Sequence, residues 1–150
     1  MTPPTYASAA KMAQAQARFF SAKKFAVVGA SQDPSKFGHR IFKWYLDRNL
    51  TAVPINPSAP NVLNVPTVAS LQSLLSPADY SVSVITPPNV TRGVIEAAAE
   101  LGIKNVWLQP GAESADVIAK AQDLGLNVIA GGGACVLVSG DEALRAAAKL

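Results

Sequence analysis

Short apolar runs alternate along the chain with longer segments in which apolar residues recur at helical spacing. A short apolar run closed by glycine, proline or small polar residues is typical of a buried strand in a parallel sheet. Five runs have this form: residues 25–29, 51–55, 80–85, 105–109 and 126–130. Because strands and helices alternate, the pattern predicts an α/β protein. Its fold is expected to be Rossmann-like and doubly wound, with a mostly parallel five-stranded sheet and helices on both faces.

The segments between the predicted strands indicate helices and one loop. We expect helices over about 34–49, 71–75, 89–101 and 114–124, and a loop rich in proline, asparagine and serine over 57–66. Residues 135–138 are apolar and could add a sixth short strand. The C-terminal segment over 139–150 follows, and its helix is expected to begin near Asp141. We assign all 150 residues to a single domain, since the sequence has no internal repeat.

The two ends of the chain each allow two interpretations. Residues 1–22 are rich in alanine, and we expect a helical extension that packs Met12, Phe19 and Phe20 on the domain. The alternative is a mitochondrial transit peptide, which is also poor in acidic residues. Ala148-Lys149-Leu150 is similar to a peroxisomal address. The expected location is the cytoplasm, with the peroxisome as the main alternative and the mitochondrion as a weaker one.

Composition narrows the function classes. Hydrophobic residues make up 49% of the chain and charged residues 15%, which is typical of a globular domain, and no apolar run is long enough to span a membrane. A single cysteine and a single histidine argue against a disulfide framework, a metal site and most triad chemistry, and they fit a reducing, intracellular compartment. Residues 1–60 hold eight Lys or Arg against two acids, which fits an anionic ligand and equally a solvated basic helix face. The sequence has no basic cluster interleaved with aromatic residues, so it does not indicate nucleic-acid binding.

The candidate site lies where the first strand turns into a helix. The strand ends in Val27-Val28-Gly29-Ala30-Ser31, and such a turn leaves backbone N–H groups and a helix N-terminus available to phosphate. Ser31 adds a hydroxyl, Lys36 adds charge, and Gly38 allows close packing of the helix. The second and third glycines of the dinucleotide-binding fingerprint are absent, so an ordinary strand-to-helix turn remains the alternative.

The end of the second strand bears on which nucleotide is bound. NAD-binding domains hold the ribose diol with an acidic residue at this place. This chain has Asn56 there, and no acid occurs between Asp47 and Asp79. The sequence therefore disfavours NAD. A ligand with a phosphorylated ribose fits better, and both NADP and coenzyme A (CoA) have one.

Five weak motifs in a fixed order carry a family resemblance. They are Val-Val-Gly-Ala-Ser at 27–31, Pro-Ser-Lys-Phe-Gly at 34–38, Ile-Asn-Pro at 55–57, Val-Ile-Thr-Pro-Pro at 84–88 and Val-Trp-Leu-Gln-Pro-Gly-Ala at 106–112. Together they resemble the stand-alone CoA-binding domain proteins, which are related to the CoA-binding domain of succinyl-CoA synthetase alpha subunits. The resemblance spans about residues 22–138 and implies a CoA or acyl-CoA binding protein. An NADP-dependent oxidoreductase, or another small nucleotide-cofactor enzyme, is the alternative.

The resemblance also implies which part of CoA each motif meets. The phosphates would be held by Gly29, Ala30, Ser31 and Lys36, and Phe37 and Gly38 would also belong to the cofactor-binding residues. The adenosine side would be lined by Asn56 and Pro57. The middle of the ligand would contact Thr86, Pro87 and Pro88. The pantetheine side would meet Gln109 and Gly111.

We expect no catalytic residue and no metal site. The ligase relatives phosphorylate a histidine in a second domain, and His39 of this chain lies in the first helix, away from that chemistry. Cys135 is the one nucleophile worth weighing, as a thiol that could form a mixed disulfide with CoA, but a small buried apolar role is favoured. The expected partners are CoA or acyl-CoA, and a second copy or a partner enzyme subunit, with no nucleic acid and no membrane.

Overall fold

The five apolar runs form one parallel sheet in the computed structural model, which describes residues 8–150. The strands of the chain are β1 (Lys24–Val28), β2 (Ala52–Ile55), β3 (Asn61–Val62), β4 (Val65–Pro66), β5 (Tyr80–Val84), β6 (Asn105–Leu108) and β7 (Asn127–Ile129). The main sheet has the order β2-β1-β5-β6-β7, and β3 and β4 form a separate small hairpin. Since β2 and β5 lie on opposite sides of β1, the topological switch point falls between the ends of β1 and β5. Ligands of doubly wound sheets bind at such points.

Helices cover both faces of this sheet, which confirms the predicted fold class. They are α1 (Ala9–Phe19), α2 (Phe37–Asp47), α3 (Pro88–Glu100), α4 (Ala115–Asp123) and α5 (Val136–Ala147). Successive strand residues point to opposite faces. Ala26 and Val28 pack with α3 and α4, whereas Phe25 and Val27 pack with α1, α2 and α5. Both faces are therefore buried, which explains why most strand residues are apolar.

The N-terminal helix α1 packs on the sheet through aromatic side chains. Phe19 is fully buried and Phe20 is 6% exposed, and the Phe19 ring meets Trp107 edge-on at 5.5 Å between centroids. The Ser81 hydroxyl donates to the Phe19 carbonyl at 2.6 Å, which fixes the end of the helix to β5. Met12 is half-buried at the edge of the same cluster. Residues 1–7 lie outside the described part, and no described helix has the length and apolar character needed to cross a membrane.

The segment after β7 differs from the prediction. A sixth strand over 135–138 is wrong, because α5 already begins at Val136. Val136 and Gly140 lie one helical turn apart and are both buried, whereas Val138 is 82% exposed. A Cβ atom at Gly140 would lie 2.4 Å from Cζ2 of Trp44, so this glycine lets α5 approach α2 closely. The C-terminal helix therefore begins earlier than predicted, and it ends at Ala147.

Other element boundaries shift by smaller amounts. The helix predicted over 34–49 starts only at Phe37. The predicted loop over 57–66 contains the β3–β4 hairpin. The helix predicted over 71–75 is a single 3-10 turn, Leu71–Ser73. Both the hairpin and the 3-10 turn lie beside the carboxyl end of β2.

Candidate functional site

A cavity of about 530 Å³ opens at the carboxyl ends of β1, β2 and β5, next to the switch point of the sheet. This volume is within the range of small-molecule sites. The walls are the turns after β1 and β2, the 3-10 turn and one side of α3, and they are mostly apolar. The lining residues are Val28, Gly29, Ala30, Ser31, Ile55, Asn56, Pro57, Ala69, Ser70, Leu71, Gln72, Thr86, Val90, Gly93, Val94 and Ala97.

The turn after β1 presents backbone donors. Gly29 has φ of +98°, which favours glycine, and its N–H group bonds the Ile55 carbonyl at 3.3 Å. The next three N–H groups, those of Ala30, Ser31 and Gln32, donate to no acceptor among residues 8–150. Ala30 is only 1% exposed, and an unpaired buried N–H group costs about 1–3 kcal/mol. A row of unpaired donors is an anion-binding arrangement.

Gly38 brings the N-terminus of α2 against this turn. A Cβ atom at Gly38 would lie 2.0 Å from the Gly29 carbonyl oxygen, so any other residue would push the helix away. The positive end of the helix dipole therefore adds to the donors of the turn. Lys36, the N-cap residue of α2, is exposed and does not line the cavity, and Phe37 is half-buried outside it.

A hydrogen-bonded turn joins the donors to α2. Oδ1 of Asp33 accepts from the Ser35 N–H group at 2.9 Å and from the Ser35 hydroxyl at 2.7 Å. These bonds hold the pKa of Asp33 below its usual value. The Asp33 N–H group in turn donates to the Ser31 hydroxyl oxygen at 3.1 Å. The Ser31 proton remains available to a ligand, because its oxygen acts here as an acceptor.

Asn56 lines the cavity, but its amide is used inside the protein. Its Nδ2 donates to the Ala30 carbonyl at 2.9 Å. Its Oδ1 accepts from the N–H groups of Ser58 and Ala59, each at 2.9 Å. The side chain therefore shapes the turn after β1 and has little capacity left for a ribose. Pro57 is exposed and lies beside it on the rim.

The motif after β5 contributes one residue to the cavity. Thr86 lines it, and its hydroxyl lies 2.9 Å from the hydroxyl of Thr91. Pro87 is the N-cap residue of α3 and Pro88 is its first residue. Neither proline lines the cavity. Their role in the structure is to start α3, which forms the opposite wall.

The residues that the resemblance assigns to pantetheine lie apart from the cavity. Gln109 is fully buried; its Oε1 accepts from the Val136 N–H group at 3.0 Å, and its Nε2 donates to the Ser83 hydroxyl at 3.4 Å. Gly111 is exposed with φ of +96°. Cys135 is 7% exposed and precedes α5, also outside the cavity lining. The buried side chains here link β5, β6 and α5.

One wall of the cavity was not predicted from the sequence. Val90, Gly93, Val94 and Ala97 of α3 face the cavity, together with residues 69–72. The signal in the sequence is their helical spacing combined with small or apolar character. Such a stripe is equally typical of a helix face buried in the core. Only the position of α3 after β5, at the switch point, distinguishes the two.

Comparison with known proteins identifies relatives of this chain. The model of a family described as CoA binding domain matches residues 23–141. The Bacillus subtilis protein YneT is 30% identical over 107 residues, which are 71% of this chain and 78% of that protein. The solved structure of a conserved hypothetical protein from Pyrococcus furiosus has 31% sequence identity and a TM-score of 0.72, and the match covers 78% of this chain and 98% of that chain.

A further relative is much longer than this chain. The alpha subunit of acetate–CoA ligase [ADP-forming] II from Pyrococcus furiosus is 32% identical over 89 residues. These are 59% of this chain but only 19% of that subunit. The similarity is thus confined to a small part of the ligase subunit.

Proposed function

We propose that this chain, which belongs to the CoA-binding domain family, binds CoA or an acyl-CoA thioester and has no catalytic activity of its own. The observation that carries the proposal is the row of unpaired N–H groups at Ala30, Ser31 and Gln32 in the described part of the chain. Consecutive donors of this kind suit the oxygens of a pyrophosphate, which CoA contains. The family match makes CoA the ligand of choice.

The surroundings of the turn support the same ligand. The apolar cavity beside it offers a surface for the adenosine, against Val90 and Val94 of α3. The N-terminus of α2 lies directly behind the turn, since Gly38 contacts the Gly29 carbonyl. Lys36 is exposed at the start of the same helix, where its charge attracts phosphate.

Two of the polar side chains that line the cavity support a binding role rather than catalysis. Asn56 and Thr86 use their polar atoms in hydrogen bonds within the protein. A side chain engaged in this way is not placed to move a proton on a ligand. The related ligase subunit carries its similar region within a longer chain. We therefore assign any chemistry on the bound thioester to a partner enzyme.

Isothermal titration calorimetry with CoA, acetyl-CoA, NADP and NAD tests the proposal. We expect CoA and acetyl-CoA to bind, with both nicotinamide nucleotides at least tenfold weaker. Ser31→Asp and Lys36→Glu should each weaken CoA binding, because like charges repel. The matched control is Lys23→Glu, which makes the same charge change at an exposed position before β1.

Two results would overturn the proposal in different ways. Binding of NADP without binding of CoA would replace the ligand by the NADP alternative. Equal effects of Lys36→Glu and Lys23→Glu would show that the phosphates bind elsewhere.

A further inference from the structure

We infer that His39 is a positioning residue of the anion-binding turn: its ring holds the Ser31 carbonyl and thereby aims the backbone donors that meet the phosphates. The inference deepens the proposed function and rests on it. His39 is the third residue of α2 and is 9% exposed. Its Nδ1 lies 2.9 Å from the Ser31 carbonyl oxygen.

Two successive carbonyls of the turn are each held by a side chain. Nδ2 of Asn56 bonds the Ala30 carbonyl at 2.9 Å, and Nδ1 of His39 bonds the Ser31 carbonyl at the same distance. Asn56 comes from the end of β2 and His39 from α2, so the turn is held from two separate elements. Neither bond is a standard part of a strand-to-helix turn, which needs only backbone partners.

The planar peptide bond converts these contacts into an orientation of donors. In a trans peptide, the C=O of one residue and the N–H of the next point in opposite directions. Holding the Ala30 carbonyl therefore orients the Ser31 N–H group, and holding the Ser31 carbonyl orients the Gln32 N–H group. These are two of the three N–H groups of the turn for which residues 8–150 provide no acceptor. A donor fixed in advance binds an anion without a further ordering cost.

The contact also fixes the tautomer of His39. A carbonyl oxygen only accepts hydrogen bonds, so Nδ1 must carry a proton. In the neutral ring, Nε2 is then the unprotonated nitrogen. This consequence can be measured in the free protein, without any ligand.

A pair of variants with the same shape tests the inference. Asn and Leu have the same number of side-chain heavy atoms and both branch at Cγ, and the Asn Nδ2 occupies the place of the His Nδ1, two bonds from Cβ. We expect His39→Leu to weaken CoA binding about tenfold, the effect of losing one hydrogen bond and leaving its acceptor unpaired. His39→Asn should restore affinity to within about threefold of the wild type, since it keeps the donor. Calorimetry measures both, with urea denaturation to report the stability of each variant.

Equal loss in the two variants would assign the effect to the size of the ring, and no loss in His39→Leu would remove the role altogether. Nitrogen-15 NMR of the imidazole provides the second readout. We expect Nδ1 to be the protonated nitrogen of the neutral ring, and an Nε2–H tautomer would overturn the inference even if CoA binds.

The two proposals can fail separately. If the wild-type protein does not bind CoA, the proposed function fails. Titration with inorganic pyrophosphate then tests the positioning role on the same variants. Weaker pyrophosphate binding in His39→Leu, restored in His39→Asn, would support the positioning role for whatever anion the turn holds, and equal binding would refute it.

Discussion

The carboxyl edge of the sheet has two halves that are similar in sequence and different in structure. The first half follows β1, β2 and β5, and the second follows β6 and β7. Both contain glycines in the left-handed region, Gly29 in the first half and Gly111 and Gly131 in the second. The first half leaves three backbone donors beside a cavity with no acceptor among residues 8–150. In the second half, Gln109 bonds the Val136 N–H group and Trp107 Nε1 donates to the Ala134 carbonyl at 3.2 Å.

A glycine-rich turn after a strand does not by itself indicate a ligand site. The glycine shows that the chain reverses tightly, and this holds in both halves. Whether a ligand binds depends on what surrounds the turn: the N–H groups of Gly132 and Gly133 also lack an acceptor among residues 8–150, but these glycines do not line the cavity. In the second half Gln109 supplies one for the first N–H group of α5. In the first half the nearby side chains bond carbonyls instead, which leaves the N–H groups to a ligand.

The largest expected effect comes from filling a tight glycine contact in each half. Gly38→Ala places Cβ 2.0 Å from a backbone oxygen, and Gly140→Ala places it 2.4 Å from the Trp44 ring. Each should lower the free energy of unfolding by about 2–3 kcal/mol, the cost of overpacking. Only Gly38→Ala should also weaken CoA binding, since only it displaces α2 from the anion-binding turn.

Urea denaturation and calorimetry on the folded proteins at low temperature measure these two quantities. The control for stability is Gly93→Ala, because a Cβ atom at Gly93 meets nothing within 4 Å. This change should instead stabilise α3 by about 0.5–1 kcal/mol. If Gly140→Ala reduced affinity as much as Gly38→Ala, the two halves would not be functionally distinct.

Removing the buried amide of the second half is the next largest change. Gln109→Leu keeps the volume but leaves the Val136 N–H group without its acceptor. We expect the free energy of unfolding to fall by about 2 kcal/mol, the cost of an unpaired buried group. CoA affinity should not change. A tenfold loss of affinity in the folded variant would place Gln109 at the ligand, as the family resemblance implies.

The parts of the fold that sequence alone predicted are those fixed by local chemistry. The ends of β1 and β5 follow from Gly29 and from Thr86-Pro87, which stop a strand whatever lies around them. Ser114 caps α4 as expected, with its hydroxyl oxygen accepting from Val117 N–H at 3.2 Å. The position of the donor turn follows from the same local rules.

The parts that sequence alone could not give depend on distant partners. The partner of Gln109 is 27 residues away in the chain, and that of Asn56 is 26 residues away. Nothing local distinguishes a glutamine that meets a ligand from one that meets a helix. The start of α5 was missed for a related reason, because Val136 and its neighbours suit a strand until Trp44 packs against Gly140.

A smaller effect is expected from filling the cavity itself. Gly93 lies on the wall of the cavity and its missing Cβ faces open space, so Gly93→Leu should project into it without a clash. We expect CoA affinity to fall about tenfold, which corresponds to about 1.4 kcal/mol, with no loss of stability, since leucine is a good helix former. The matched control is Arg92→Leu, at an exposed neighbouring position that does not line the cavity. Unchanged affinity in Gly93→Leu would show that the ligand does not enter this cavity.

The smallest expected effect concerns the ion pair that joins the two halves. Arg48 of α2 donates to both carboxylate oxygens of Asp141 of α5, through Nε at 2.5 Å and a second nitrogen at 2.9 Å. These bonds hold the pKa of Asp141 below its usual value. The pair therefore stabilises the fold at pH values above the unfolded pKa, near 4, and this contribution is lost as the pH falls through the lowered folded value.

Because the Asp141 side chain is 54% exposed, solvent screens the pair, and Asp141→Asn should lower Tm at pH 7 by only about 1–2 °C. The difference in Tm between wild type and variant should shrink as the pH falls below 4, and CoA affinity at pH 7 should stay the same. A difference in Tm that persisted at low pH would assign it to packing of α5 on α2, and an accompanying loss of affinity would mean that the second half of the edge controls the first.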